Sequence, residues 1–123
     1  MFGHERFEAY RLSIQFLQVA LELLDQLPQG NAHLKDQLKR AATSVPLNIA
    51  EGSGKTEMAE RLRYYSIARG SAMECAAICD AISMLHDRFS LKVNHGKALL
   101  ESVVNILTTV CGKRARAKTE ERS

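Results

Sequence analysis

The stretch that decides the fold is QLKRAATSVPLNIAEG, which runs from Gln37 to Gly52. Apolar residues recur in it at the three- and four-residue spacing of one helix face, and the row begins one turn earlier. Its members are Leu34, Leu38, Ala41 or Ala42, Val45 and Ile49. This spacing predicts a helix over residues 32–51 with Pro46 inside it. Because proline removes one amide donor and crowds the carbonyl four residues back, we expect a kink at Pro46 rather than a break.

A polar row runs along the same helix, beside the apolar one. Its members step by three, four, four and three residues: Gln37, Arg40, Ser44, Asn48 and Glu51. Polar residues of this kind usually form a solvated face. The alternative is a hydrogen-bonded row at a close interface, which suits the small, uncharged Ser44 and Asn48. Because Asn48 closely follows Pro46, we also expect its amide to bond a carbonyl that the proline leaves free.

A comparable polar patch lies in the third predicted helix. It comprises Arg69, Gly70, Ser71 and Glu74. An arginine at 40 or 69 could pair with a glutamate at 51 or 74, between helices or between subunits. A buried pair of this type fixes geometry more reliably than it adds stability. Pairing between neighbours on one helix surface is the simpler alternative.

Three further segments share the helical period, over residues 5–27, 57–87 and 91–111. Four amphipathic helices with short connections predict an all-α, up-down-up-down antiparallel four-helix bundle. The first helix has two adjacent apolar rows: Phe7, Tyr10, Ile14, Leu17, Leu21 and Leu24, then Leu12, Phe16, Val19, Leu23 and Leu27. A face this wide suggests contacts on two sides, as in a bundle that also oligomerises.

The candidate reactive side chains point to packing rather than chemistry. Cys75 and Cys79 lie one turn apart, which is not the usual spacing of a zinc site. Cysteine packs readily in a core as a small apolar residue. A metal site that uses them with His86 and a fourth ligand such as Cys111 is the alternative. The sequence has no HExxH, P-loop, GxGxxG or GxSxG motif, so we predict no catalytic activity, no metal and no cofactor.

The positive charge is concentrated at the C-terminus. The formal net charge is +3, and residues 113–123 hold five basic and two acidic side chains, so residues 1–112 sum to zero. We therefore predict a bundle over 1–112 and a basic, disordered tail over 113–123. The residues expected to contact phosphates are Lys35, Lys39, Arg61, Lys113, Arg114, Arg116 and Lys118. Such contacts would give nucleic-acid binding with steep salt dependence, whereas a merely solubilising tail is the alternative.

No apolar run approaches the about 20 residues that span a bilayer, and no signal peptide is evident. We therefore expect a cytoplasmic protein without a membrane partner. The odd number of cysteines, three, also argues against a disulfide framework.

Two segments carry a family resemblance. The stretch from Gln37 to Gly52 and the later run YYSIARGSAME, from Tyr64 to Glu74, resemble those of the bacterial four-helix bundle proteins related to the 23S ribosomal RNA intervening-sequence protein. The resemblance covers residues 5–110 and implies a bundle that assembles as a ring-shaped homopentamer. Some relatives are encoded within insertions in ribosomal RNA genes. Others are accessory proteins of diversity-generating retroelements, and they bind nucleic acid and a reverse transcriptase.

We therefore expect a non-enzymatic, homopentameric protein that associates with RNA or DNA through its basic surface and tail. In this hypothesis the polar row of the second helix and the patch from Arg69 to Glu74 lie at or near helix and subunit contacts. The alternative is a protein-interaction adaptor, for example an accessory of a reverse transcriptase, without affinity for nucleic acid.

Overall fold

The computed structural model describes the backbone of residues 1–122 and the side chains of residues 1–112. Its elements are a 3-10 turn Gly3–Arg6, α1 Glu8–Gln26, α2 Ala32–Ser53, α3 Met58–Leu85, a 3-10 turn Asp87–Phe89 and α4 Ser90–Arg122. No strand occurs in the described backbone. The predicted all-α class and the predicted number of helices are confirmed.

Contacts between side chains show that neighbouring helices are antiparallel. Ser44 in the middle of α2 lies 2.9 Å from Ser71 on α3, measured between the hydroxyl oxygens. Later along α2, Ser53 bonds Tyr65, which lies earlier along α3. Lys92 at the start of α4 lies 3.2 Å from Glu22 near the end of α1. α4 packs against both α3 and α1, and α2 packs most extensively against α3. The four helices therefore form the predicted up-down-up-down bundle.

The core is built from buried apolar side chains that all four helices contribute. The largest of them are Phe16, Leu23, Leu38, Ile49, Ile82, Leu100 and Leu107. Burying one large apolar side chain stabilises a fold by about 1.5–3 kcal/mol, so this core is the main source of stability. Cys75 and Cys79 expose no surface, which confirms the prediction that they pack in the core.

α1 carries more apolar surface than the core covers. Phe16 and Leu23, from one of the two predicted rows, are fully buried. Ile14 and Leu21, from the other row, are 41% and 51% exposed. The two rows lie on adjacent sides of the helix, so only one of them can face the centre of the bundle. Ile14 and Leu21 therefore have no full cover within the protomer, and contacts of α1 on two sides stay a prediction.

α2 runs without interruption through Pro46, so the predicted continuation of the helix is confirmed. The kink at Pro46 stays a prediction. The helix ends two residues later than expected, at Ser53, where the backbone amide of Gly54 donates to the carbonyls of Ala50 and Glu51. These bonds satisfy carbonyls that the last turn leaves without helical partners.

α4 extends beyond Gly112, where the sequence predicted its end, and continues to Arg122. That prediction is wrong, because a glycine inside a helix costs only about 1 kcal/mol and lysine, arginine and alanine after it favour helix. The disorder predicted for the tail over residues 113–123 stays a prediction. The side chains of Lys113, Arg114, Arg116 and Lys118 lie outside the described residues. The domain boundary after residue 112 stays a prediction.

Candidate functional site

A cluster of three half-buried side chains joins α2 to α3 at the centre of the polar row. The Asn48 Nδ2 donates to the Ser44 Oγ at 2.9 Å and to the Ser44 backbone carbonyl at 2.8 Å. The hydroxyls of Ser44 and Ser71 lie 2.9 Å apart and share one hydrogen bond across the helix boundary. The structure thus brings together Ser44, Asn48 and Ser71, and their three hydrogen bonds leave one hydroxyl proton of the serine pair without an acceptor in the cluster.

Asn48 bonds a different carbonyl from the one expected. Pro46 leaves the carbonyl of Ala42 without its helical partner, whereas the Asn48 amide bonds the carbonyl of Ser44. The expected bond to a freed carbonyl is therefore wrong. The reason is geometric, because a helical side chain points back over the preceding turn and reaches the residue four positions earlier.

Small residues allow α2 and α3 to approach closely at this boundary. A Cβ added at Gly52 would lie 2.9 Å from the Tyr65 Cε1 and 3.0 Å from the Arg61 backbone carbonyl. The next residue, Ser53, shares a hydrogen bond with the same Tyr65, and their hydroxyls lie 2.9 Å apart. Glycine and serine at the crossing therefore bring the two helices close enough for direct hydroxyl contacts.

The charged ends of the polar row point outwards. Arg40 and Glu51 are exposed, and Glu51 pairs with Lys55 on its own helix at 3.3 Å. Gln37 is half-buried, and Glu74 is exposed on α3.

Arg69 lies on the α4 side of α3, where its Nε donates to the Thr108 Oγ1 at 2.6 Å. Two residues along a helix differ by about 200° in direction, so Arg69 and Ser71 face different neighbours. The predicted pairing of Arg40 or Arg69 with Glu51 or Glu74 does not occur within the protomer among residues 1–112. Pairing between subunits stays a prediction.

The basic residues predicted to contact phosphates fall into separate places. Lys35 and Lys39 lie in the first turns of α2, and Lys39 lines a shallow depression of about 380 Å³ with Asp36, Arg40 and Thr43. Arg61 lies beyond the other end of α2. Lys35 and Ser53 are 18 positions apart along α2, which corresponds to about 27 Å of helix at 1.5 Å per residue. The structure does not bring Arg61 together with the two lysines.

A cavity of about 420 Å³ at one end of the bundle was not predicted from the sequence. Phe7, Ser53, Met58, Arg61, Tyr65 and Val110 line it. These residues come from all four helices and their caps, so no local spacing pattern could have grouped them.

Burial governs the chemistry of the two core cysteines. Burial, together with the nearby Cys79, raises the pKa of Cys75 to about 12. Burial and the charge of Asp80 raise the pKa of Cys79 to about 11. A thiolate, not a thiol, is the nucleophile and the metal ligand, so both side chains are inert at neutral pH.

Among the described residues, no group of three or more histidine, cysteine, aspartate or glutamate side chains is arranged to hold a metal ion. In the same part of the chain, no helix is long and apolar enough to cross a membrane.

Comparison with protein families matches residues 5–110 to the family described as 23S rRNA-intervening sequence protein. The matched region begins just before α1 and ends near the last described side chains of α4. It therefore includes the polar cluster between α2 and α3 and the six residues named above for the end cavity, whereas Gly3, which also lines that cavity, precedes it. Comparison with curated proteins gives no match.

Proposed function

Because the chain belongs to the 23S rRNA-intervening sequence protein family, we propose that it is a non-enzymatic, homo-oligomeric protein that associates with nucleic acid. The family resemblance implies five subunits, so the proposed assembly is a homopentamer. The proposal places the protein in the cytoplasm, where RNA and DNA are both accessible to it in a bacterial cell.

The observation that carries this proposal is the charge of the last helix. Residues 113–123 hold five basic and two acidic side chains and so carry the whole net charge of the chain. The backbone of α4 continues through this segment. At 1.5 Å per residue, the four cations from Lys113 to Lys118 occupy about 8 Å of helix, comparable to a few phosphates of one nucleic-acid strand.

The start of α2 offers a second set of cations in the bundle itself. Two lysines of α4 are neutralised by ion pairs within the bundle, since Lys92 pairs with Glu22 and Lys97 with Asp80. Lys35, Lys39 and Arg40 form no ion pair within the described residues. Cations without a carboxylate partner favour contacts with phosphates, because no existing pair has to be broken.

Assembly is supported by the outer side of α1. Ile14 and Leu21 are about half exposed there although they belong to a regular apolar row. Covering them with a second copy of the chain would remove apolar surface from water, which contributes roughly 25 cal/mol per Å². Arg40, which is exposed and forms no ion pair within the described residues, is available to pair with a carboxylate of another subunit.

The test is a mobility-shift assay with short RNA and DNA duplexes and single strands from about 50 to 200 mM salt. The main variant replaces the four tail cations, Lys113, Arg114, Arg116 and Lys118, with glutamine. We expect the wild type to bind with a steep salt dependence, and the variant to lose most of that slope, by up to about 0.9 per phosphate contact removed.

The matched control replaces Lys92 and Lys97 with glutamine, because their charges are already paired within the bundle. This variant should bind as the wild type does. Absence of a shift with every nucleic acid at the lowest salt would refute nucleic-acid association. Equal losses in the tail variant and in the control would refute the role of the tail.

A protein-interaction adaptor is the second candidate function, and the corner between α3 and α4 favours it. Met84 and Leu91 are both 85% exposed, and Leu85 is 63% exposed between them. Exposed apolar clusters of this kind mark sites of protein contact. In this case a specific partner, such as a reverse transcriptase, should co-purify after nuclease treatment and be lost from a Met84→Ser, Leu91→Ser variant.

A further inference from the structure

The cavity at the end of the bundle combines apolar walls with one cation. The rings of Phe7 and Tyr65 lie with their centroids 5.5 Å apart, and Met58 and Val110 complete the apolar lining. The cavity measures about 420 Å³. Small-molecule sites in proteins share this design, with mostly apolar walls, a few placed polar groups and a volume of roughly 300–1,000 Å³.

Arg61 supplies the charge, and one of its donors has no partner. The Nη2 donates to the Lys55 backbone carbonyl at 2.9 Å. The Nε is buried and is the only buried side-chain nitrogen or oxygen among residues 1–112 without a hydrogen bond. Leaving a buried donor unpaired is costly, and more so on a charged group. Because the Nε is buried, an acceptor in the cavity reaches it only if the guanidinium shifts towards the cavity, and that contact would then remove this cost.

The charge of Arg61 is also not neutralised by its neighbours. Lys55 pairs with Glu51 at 3.3 Å, and Arg63 pairs with Glu60 at 3.5 Å. Arg61 forms no ion pair within the described residues. Glu57, one turn before Arg61, forms no ion pair with it either, so the guanidinium is free to pair with an anion from outside.

A second donor lies in the same cavity. The hydroxyls of Ser53 and Tyr65 are 2.9 Å apart, so one of them donates to the other. The accepting hydroxyl keeps its own proton and can donate it to a further acceptor. The site can therefore offer an N–H from Arg61 and an O–H from this pair to the two oxygens of one anionic group.

We propose that this cavity binds a small carboxylate whose apolar body is flat, with the carboxylate on Arg61 and the Ser53–Tyr65 pair and the body against Phe7 and Tyr65. A carboxylate carries a single negative charge, which one guanidinium balances. A phosphate monoester carries about −1.5 to −2 at neutral pH and would leave uncompensated charge among apolar walls. This inference does not depend on nucleic-acid binding.

The test follows the methyl groups that line the cavity in the full-length protein by NMR. Phenylacetate is the probe, phenylacetamide is its neutral isostere, and uridine monophosphate represents a nucleotide. We expect phenylacetate to shift the Met58 and Val110 methyl resonances with a Kd on the order of 1 mM, as for a fragment-sized ligand. The methyl of Met84, at the other end of α3, should not move. Phenylacetamide should bind about tenfold more weakly.

Two variants and one control locate the binding. Arg61→Gln should weaken the binding of phenylacetate about tenfold or more, because a hydrogen bond to a charged group is lost. Arg63→Gln is the matched control on the same helix and should bind as the wild type does. Tyr65→Phe keeps the ring and removes the second donor. Because one neutral hydrogen bond is lost, we expect the affinity for phenylacetate to fall about threefold.

Three results would overturn the proposal. One is the absence of any Met58 shift at about ten times the expected Kd. Another is equal affinity for phenylacetate and phenylacetamide, or unchanged affinity in both Arg61→Gln and Tyr65→Phe. The third is tighter binding of uridine monophosphate than of phenylacetate, which would assign the cavity to nucleotides. Because no nucleic acid is present, none of these results depends on the mobility-shift assay.

Discussion

Asn48 illustrates how much of the α2–α3 boundary depends on one amide group. Its Nδ2 bonds both the hydroxyl and the backbone carbonyl of Ser44. Ser44 in turn bonds Ser71 on the facing helix. The amide therefore orients the hydroxyl that crosses the boundary, and side chains in such a network are worth more together than singly.

Replacing Asn48 with alanine should destabilise the fold by about 1–2 kcal/mol, because it leaves half-buried acceptors without their donor. The measurement is the free energy of unfolding in urea. Asn105→Ala on the exposed side of α4 is the control. It gains the same helix propensity, and the Asn105 side chain forms no hydrogen bond within residues 1–112. If the two variants had equal stability, the cluster would be no more than solvated surface.

The thiols of Cys75 and Cys79 should resist modification well above neutral pH. Their pKa values are raised to about 12 and about 11 by burial, from an ordinary value of 9.0. At pH 10 in the folded protein, iodoacetamide should therefore alkylate only the half-buried Cys111, and in urea it should alkylate all three cysteines. Mass spectrometry counts the modified sites. Rapid alkylation of Cys75 in the folded state would contradict this expectation.

The same shifts make stability depend on pH. Both thiols stay protonated in the folded state above pH 9.0, where the unfolded thiols ionise. Their contribution is therefore fully present below pH 9 and is lost progressively as pH rises towards 11 and 12.

At the scale of the helices, the separation of α2 and α3 at their crossing is set by Gly52, which has no side chain. A Cβ at position 52 would approach Tyr65, Tyr64 and the Arg61 carbonyl to within 2.9–3.0 Å. Backbone and ring atoms cannot move aside without shifting one helix against the other. The separation of the two helices is therefore fixed at Gly52.

Gly52→Ala should destabilise the protein by about 1–3 kcal/mol through this overpacking, despite the better helix propensity of alanine. Gly112→Ala is the matched control, because it lies inside α4 and a Cβ there meets no atom within 4 Å. That substitution should stabilise the protein by about 0.5–1 kcal/mol. The measurement is the melting temperature of both variants in thermal unfolding. An unchanged melting temperature for Gly52→Ala would show that the helices can separate freely.

At the scale of the whole molecule, the outer row of α1 is the surface expected to hold subunits together. Replacing Ile14 and Leu21 with lysine should convert an oligomer into single protomers, because charges would be buried without partners. Size-exclusion chromatography with light scattering measures the mass. The control is Gln15→Lys with Gln18→Lys, which changes exposed polar positions of the same helix. A wild-type mass of one protomer would contradict the proposed assembly.

The helices and most of the core could be predicted from the sequence, because both follow from local spacing. The apolar row through Leu38, Val45 and Ile49 repeats at the helical period, and all three side chains are fully buried. The prediction at Gly112 failed, because a glycine with helix-forming residues on both sides costs the helix too little to end it.

The sequence by itself determined that four amphipathic helices pack as a bundle and that a polar row lies along α2, since hydrophobic periodicity acts over a few residues. Only the tertiary structure decided which of the two α1 rows is buried and that Ser44 and Ser71 meet. It also decided that Phe7, Ser53, Arg61, Tyr65 and Val110 enclose one cavity. These contacts join residues far apart in the chain, and their distances depend on how the helices pack, which no local pattern records.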